Sequence, residues 1–466
     1  LEHQTGFCAD AWQQNQQVDL SIADLSATGD GVGHWGAERR VVFVPDTVPG
    51  DRITAKLTFV KPSYAHGSLV AIHKPSRHRT KPHCIVADKC GGCQWQFADY
   101  EYQLMAKQAQ IAQALTRIGK FMNPSVAEVL AAPSAFGYRN KATYPFGFKL
   151  ERGQRTVQAG YYQKRSHRLI NLNQCPVQDE RLNPILMFLK QNIQQQDWSI
   201  YNEQSHKGEL RHLSLRIGRR TGEILVTLVA RTGENLGGVA TQAQQWLQQH
   251  PSIVGVCLNI NGERTNRIFG AETRCIAGQP FLTEQFAGLT IRVHPNTFFQ
   301  VYTEQAEALL QAILEHLNLQ GQETVVDAYS GIGTLTLPIA RQARYCLGLE
   351  VQAEAVDQAR HNAQLNQITN VEFQTGTVEQ SLAHLDLQPD VLLLDPPRKG
   401  CEPSVLQNLI ERKVPRLVYV SCNPATLARD LQRLCHSGPY RLVRVQPADF
   451  FPQTAHVECA AFLECN

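Results

Sequence analysis

Several short motifs in the last third of the chain carry side chains able to do covalent or proton-transfer chemistry. Val420-Ser421-Cys422-Asn423-Pro424 sets a thiol at the end of an apolar run. A cysteine attacks as its thiolate, so it needs a cationic or base-assisted setting, which Arg398 or His456 could supply. Taken alone, a cysteine is more often an inert core residue. His456-Val457-Glu458 lies in an apolar, strand-like stretch, where burying charge is costly, and this favours a working role for Glu458. Asp395-Pro396-Pro397-Arg398 directly follows the apolar run 391–394, and its prolines hold the loop in an extended shape. The bland alternative is a rigid loop with a capping Asp.

A further motif is Asp327-x-x-x-Gly331-x-Gly333, followed by Glu350. Glycines let a backbone approach a ligand closely, and an acid at the end of the next strand can accept from both ribose hydroxyls. A lone Gly-x-Gly is usually a plain turn. Here it falls between a strand and a helix pattern. The third glycine of the pyrophosphate fingerprint is missing, since Leu335 and Thr336 occupy that neighbourhood. S-adenosylmethionine, which has no pyrophosphate, therefore fits better than NAD. In amino-group methyltransferases the tetrapeptide related to 395–398 ends in an aromatic that stacks on the target base. Arg398 in that place implies a different target chemistry.

Away from these motifs, Cys84-x5-Cys90-x2-Cys93 and the distant Cys175 form a possible ligand set. Four thiolates suit zinc or an iron–sulfur cluster about equally on spacing alone. The Cys-x3-Cys-x2-Cys spacing of radical enzymes is absent.

The elements that must position these residues are legible as periodicity. Within 13–73, Val18–Ile22, 41–44, Arg52–Phe59 and Ser68–Ile72 read as short strands. The clusters 29–33 and 45–51 read as turns. Such spacing predicts a small oligonucleotide-binding-like β-barrel. Residues 99–121 have helical spacing, and 125–285 read as a mixed α/β region with a helix at 238–249. From Thr303 onward strands and helices alternate, with strands expected at 324–327, 345–349, 371–374, 391–394 and 418–420. That alternation predicts a parallel sheet covered on both faces, with ligands beyond the carboxyl ends of its strands. The motifs at Asp327, Glu350, Asp395 and Cys422 all fall at such ends.

Composition bounds the rest. At 466 residues, 43% hydrophobic and 19% charged, the chain predicts a globular protein of two or three domains. Apolar runs are too short for a membrane span, and Leu1–Leu20 is polar and Gln-rich, unlike a secretory signal. Thirteen thinly spread cysteines suggest reduced thiols in a cytoplasm. Net charge is only +3, but two stretches are strongly basic. From 52 to 87 there is no acid beside Lys56, Lys61, Arg77, Arg79 and Lys81. From 136 to 175, Arg139, Lys141, Lys149, Arg152, Arg155, Lys164, Arg165 and Arg168 face one acid, Glu151, with aromatics interleaved. Cations neutralise phosphates and aromatic faces stack unpaired bases, so the mixture suits RNA. A solvated basic surface over an aromatic core is the competing explanation.

In this order, Gly-x-Gly, Asp-Pro-Pro-Arg, Ser-Cys-Asn-Pro and His-Val-Glu resemble the RNA uracil-C5 methyltransferase family, as do Phe298-Phe-Gln300-Val and Tyr138-Arg-Asn-Lys141. The resemblance covers essentially the whole chain, and the first barrel looks like the TRAM domain that many members carry. It implies a multidomain fold: a TRAM barrel over 13–73, a central α/β RNA-recognition domain over 74–285 and a Rossmann-like methyltransferase domain over 286–466. The helix at 98–122 is expected against the last. It also implies Cys422 as nucleophile, Glu458 as base, and Gln300, Tyr329, Thr334, Glu350, Thr377 and Asp395 around S-adenosylmethionine. Some members have Asn where Thr334 and Thr377 stand. A [4Fe-4S] cluster on Cys84, Cys90, Cys93 and Cys175 is implied likewise, pinning an RNA-binding loop rather than doing redox work. Among members, the TRAM-like barrel and the cysteine set point to 23S ribosomal RNA as partner, with transfer RNA as the alternative. The expected state is a cytoplasmic monomer. A non-catalytic RNA-binding protein on the same fold is the competing class, against which intact Cys422 and Glu458 speak.

Overall fold

The computed structural model describes residues 12–151 and 153–466. The first eleven residues of the polar N-terminal stretch, and Arg152 of the second basic stretch, lie outside the described residues. The chain forms two compact units, Leu1–Lys107 with Phe451–Ala455, and Gln108–Phe450 with His456–Asn466. Among the described residues no helix is long and apolar enough to cross a membrane.

In the first unit, β1 (Gln17–Leu25), β2 (Gly31–Trp35), β3 (Arg40–Val44), β4 (Arg52–Val60) and β5 (Tyr64–Lys74) close into a barrel in the order β1-β2-β3-β5-β4. Period-two alternation turns Val18, Leu20, Ile22, Val42, Val44, Ile53, Ala55 and Leu57 into its core. One expectation needs correction. Residues 29–33 read as a turn, yet Gly31 and Gly33 lie within β2. The glycines serve packing there: a Cβ on Gly31 would stand 2.0 Å from Thr47 Oγ1 and 2.9 Å from Ile22 Cγ2. Arg79, counted above with the RNA-facing cations, is also spoken for. Its guanidinium grips the fully buried Asp51, with Nε 3.0 Å from Oδ1 and Nη2 2.5 Å from Oδ2, and donates to the Asp46 carbonyl. A buried carboxylate needs such a partner, so Arg79 belongs to the fold.

Helix α1 (Tyr100–Arg117) leads into the second unit, where its Ile111 and Leu115 join an apolar core. There follow β6 (Lys141–Glu151), β7 (Gln154–Tyr162), β8 (Leu169–Asn171), α2 (Leu182–Gln196), β9 (Leu210–Ile217), β10 (Ile224–Ala230), α3 (Val239–Gln249), β11 (Ile253–Ile260) and β12 (Glu272–Gly278). The strands form one sheet in the order β12-β11-β10-β9-β6-β7-β8. Leu186, Leu189 and Trp246 of the two helices pack with Leu213, Leu215, Val226 and Leu228 in one core. Strand alternation sends the intervening residues to the opposite face, where β6 and β9 carry polar and charged side chains. Lys141 pairs with Arg216 and Thr143 with Ser214; Ser214 in turn pairs with Thr227.

The hairpin β13 (Leu282–Phe286) and β14 (Leu289–Val293) precedes α4 (Thr303–Leu317). Next come β15 (Thr324–Asp327), α5 (Thr336–Ala340), β16 (Tyr345–Glu350), α6 (Ala353–Leu365), β17 (Val371–Thr375), α7 (Val378–Ala383) and β18 (Val391–Leu394). The chain ends with α8 (Pro403–Arg412), β19 (Arg416–Ser421), α9 (Pro424–His436), β20 (Tyr440–Ala448) and β21 (Glu458–Cys465). These strands form a second sheet in the order β17-β16-β15-β18-β19-β21-β20. The first five are parallel, as the alternation of elements requires, and the last two add antiparallel. Strand order turns back at β15 and β18, and a crevice opens beyond their carboxyl ends.

Candidate active site

The candidate site is built around this crevice, which is partly open to solvent. Asp327, at the end of β15, and Tyr329, Ser330, Gly331 and Thr334, from the loop after it, line one side; Asp395, from the loop after β18, and Val420 and Glu458, from β19 and β21, line it too. Phe298 and Gln300 close it from the segment before α4, and Phe298 is 67% exposed.

The glycine loop is built from local constraints. Gly331 and Gly333 have φ of +54° and +87°, conformations that favour glycine. Asp327 holds the loop's two ends, accepting from Thr336 Oγ1 at 2.6 Å and from the Tyr329 amide at 3.4 Å. Glu350 does not line the pocket. Its carboxylate accepts from the amides of Gly331 at 3.1 Å and Gln352 at 2.8 Å, tying the loop to the end of β16. Thr377 likewise caps α7, accepting from the Gln380 amide. Of the six residues expected around the cofactor, Gln300, Tyr329, Thr334 and Asp395 therefore come together in the lining, and Glu350 and Thr377 stand outside it.

The pocket fits a cationic, hydrogen-bonding ligand. Ser330 Oγ is buried with no partner among the described residues, and a Cβ on Gly331 would meet nothing within 4 Å. Burial, with Asp327 nearby, pushes the Asp395 carboxyl up to about 7; burial and the field of Glu350 push Asp327 up to about 6 against its hydrogen bonds. Crowded carboxylates of this kind favour a positively charged guest such as a sulfonium or an ammonium.

Beside this pocket lies the thiol. Cys422 is half-buried where β19 runs into α9. Burial, then Glu458 and Asp395, raise its pKa, while the Arg398 guanidinium opposes them through charge and a hydrogen bond. Glu458 is 7% exposed, and burial and then Asp395 push its carboxyl well above the usual range, again opposed by Arg398. Arg398 is held in place from α9: its carbonyl accepts from Asn423 Nδ2 at 3.1 Å and Thr426 Oγ1 at 3.2 Å. The site thus combines a thiol, a cation that favours its thiolate and a carboxylate of raised basicity. Of Arg398 and His456, the two activators the sequence suggests, Arg398 is the cation that acts on the Cys422 thiol.

Two residues of the site carry weak signals in the sequence. Asn140, inside the Tyr-Arg-Asn-Lys motif, is 1% exposed and donates to the Gln300 carbonyl at 2.9 Å and to Thr303 Oγ1 at 3.1 Å. Ser330 looked like an ordinary residue of a glycine turn.

Cys84, Cys90 and Cys93 lie in the first unit and Cys175 in the second. Among the described residues no group of three or more His, Cys, Asp or Glu is arranged to hold a metal ion. One local feature suits a metal-bound thiolate: the Gly92 amide donates to Cys90 Sγ at 3.4 Å.

Comparison with known proteins identifies the family. Residues 99–466 match the family described as tRNA (Uracil-5-)-methyltransferase, and residues 11–70 match the TRAM domain. An uncharacterized RNA methyltransferase of Nostoc sp. is 63% identical over 452 residues, 97% of either chain. One from Halalkalibacterium halodurans is 39% identical over 454 residues, also 97% of either chain. The crystal structure of Pyrococcus abyssi tRNA (uracil-54, C5)-methyltransferase in complex with S-adenosyl-L-homocysteine is similar with a TM-score of 0.76 and 26% identity. That similarity covers 96% of this chain and 99% of the Pyrococcus chain. A TRAM barrel followed by this thiol, carboxylate and glycine-loop pocket marks the chain as a member of the tRNA (uracil-5-)-methyltransferase family of enzymes.

Proposed function

We propose that this protein methylates carbon 5 of a uridine in structured RNA, with Cys422 as covalent nucleophile and Glu458 as base. The observation that carries this reading is the convergence of Cys422, Arg398, Glu458 and Asp395 at one sheet edge, each acting on the charge of another.

Carbon 5 of uracil is a poor nucleophile. Attack of the Cys422 thiolate on carbon 6 places enolate charge across the ring, and carbon 5 becomes able to take a methyl group. S-adenosylmethionine supplies that methyl from its sulfonium when bound. Arg398 favours the thiolate before attack. Glu458 then removes the proton from carbon 5, its raised basicity suiting the task, and elimination restores the thiolate. Gln300, Tyr329, Thr334 and Asp395 hold the methyl donor, with Glu350 and Thr377 as the further contacts that the family resemblance implies. The base must leave its stack to reach the thiol, and the exposed Phe298 offers a face for it.

For the substrate, 23S ribosomal RNA is our first reading, carried by the barrel and the cysteine set. Transfer RNA is the second, and the Pyrococcus enzyme favours it: a transfer-RNA methyltransferase matches 96% of this chain, barrel included. Mapping 5-methyluridine in both RNAs from a strain lacking the protein separates the two. Loss at neither would overturn the activity. Cys84, Cys90, Cys93 and Cys175 are proposed as ligands of a [4Fe-4S] cluster. The family resemblance implies it, the Gly92 amide on Cys90 suits a metal-bound thiolate, and no step of the reaction runs through it.

A further inference from the structure

The face of the central sheet that carries Lys141 and Arg216 holds a group of cations that the site described so far does not use. Lys141 opens β6 directly opposite Arg216 of β9. Like charges directly opposite each other in a sheet are destabilising, and a bound anion would relieve the repulsion. Among the described residues none does. No carboxylate pairs with Lys141, Arg139 or Arg216, and Lys141 Nζ has no hydrogen-bond acceptor. Its ammonium lies 4.9 Å from the centre of the Phe269 ring. Arg139, two residues earlier, uses its Nε on the Lys141 carbonyl at 3.1 Å. Burial first, and then the charges of Arg216 and Arg139, push the Lys141 pKa well below the usual lysine value. An anion bound there would reverse that shift.

The group is tied to the pocket wall. Arg216, 5% exposed, donates through Nη1 to the carbonyls of His294 at 3.3 Å and Thr297 at 3.2 Å. That segment continues into Phe298 and Gln300, which line the pocket, and Asn140 next to Lys141 binds the Gln300 carbonyl. The geometry points to Lys141, backed by Arg216 and Arg139, as the contact for one phosphodiester of the RNA beside the nucleotide whose base enters the pocket. This deepens the RNA-methyltransferase reading and rests on it.

The test uses the full-length protein and an RNA stem-loop that it methylates, made with single neutral methylphosphonate linkages around the target. One linkage should weaken binding about tenfold in the wild type, the size of one charged hydrogen bond, and do nothing further in Lys141→Met. Lys141→Met should lower the salt slope of RNA binding by about one, and Lys141→Arg should restore it. S-adenosylhomocysteine binding should be the same in all three proteins, which a merely misfolded variant would not show. In parallel, an amine-acylating reagent read by mass spectrometry should label Lys141 in the free protein. RNA should block that labelling, and millimolar inorganic phosphate should not. Blocking by phosphate alone would assign the site to a free anion and overturn the proposal. So would a linkage effect that persists in Lys141→Met. If the wild type methylates no RNA, the functional reading fails, and protection of Lys141 by bound RNA still decides the site.

Discussion

Asn423 Nδ2 donates to the backbone carbonyl of Arg398 at 3.1 Å, so the residue after the thiol holds the loop that carries the thiol's cation. Arg398→Met should therefore raise the Cys422 pKa further, because the one opposing influence is removed. Asn423→Ala should move it the same way by less. The pH dependence of alkylation at Cys422 by iodoacetamide measures both. An unchanged profile in Arg398→Met would separate the guanidinium from the thiol.

Cys422→Ala should abolish methylation while RNA and S-adenosylhomocysteine still bind. Glu458→Gln should instead stop after methyl transfer, because only loss of the carbon-5 proton needs the base. The methylated adduct should persist as a slow band on a denaturing gel. It should require S-adenosylmethionine and vanish in the double variant. Normal turnover of Glu458→Gln without such a band would show that another group removes the proton.

Asp395 gives the cofactor-free protein a pH dependence of known sign. Its carboxyl titrates at about 7 in the folded protein against 3.8 ordinarily. Between those values the folded state holds a proton that the unfolded state has released. Stability from this group therefore falls as pH rises from about 4 to 7 and stays lost above. Asp395→Asn should raise the melting temperature relative to wild type at pH 8 and leave it nearly equal near pH 4. A cationic methyl-donor analogue should stabilise the wild type more than the variant. Calorimetry at both pH values checks it, and equal effects of the substitution at both would contradict the assignment.

Arg77 and Lys81 differ from Arg79 in what they should do. Arg79→Ala leaves the buried Asp51 carboxylate without its cation and should cost about 3–5 kcal/mol in stability. Ion pairing and backbone amides hold the Asp51 pKa below its ordinary value, so this contribution is present at neutral pH and fades in acid as the carboxyl protonates. Arg77→Glu with Lys81→Glu should leave thermal unfolding nearly unchanged and weaken RNA binding. Unchanged RNA affinity in that pair would make those cations a solvated face.

Protein purified without oxygen should be brown and carry about four irons, and Ser in place of Cys84, Cys90, Cys93 or Cys175 should bleach it. Stoichiometric zinc with no visible absorbance would identify a different metal.

The sequence alone determined what depends on neighbours along the chain. Period-two runs located β1, β4 and β5, and alternating elements gave the parallel strands β15 to β19. Because reactive loops follow strand ends, strand periodicity by itself places Asp327, Asp395 and Cys422 on one rim of the sheet. Tertiary structure decided what depends on partners distant in sequence. Arg79 reads as a surface cation until Asp51 is found beneath it, and Gly31 reads as a turn until Thr47 fills the space of its missing side chain. Glu350 and Thr377 have the right types for a ligand, yet backbone amides already occupy part of their hydrogen-bonding capacity. Lys141 and Arg216 are far apart in sequence, and only the register of β6 against β9 sets the two charges side by side. A linear sequence encodes periodicity directly, but it encodes register and burial only through the packing of the whole sheet.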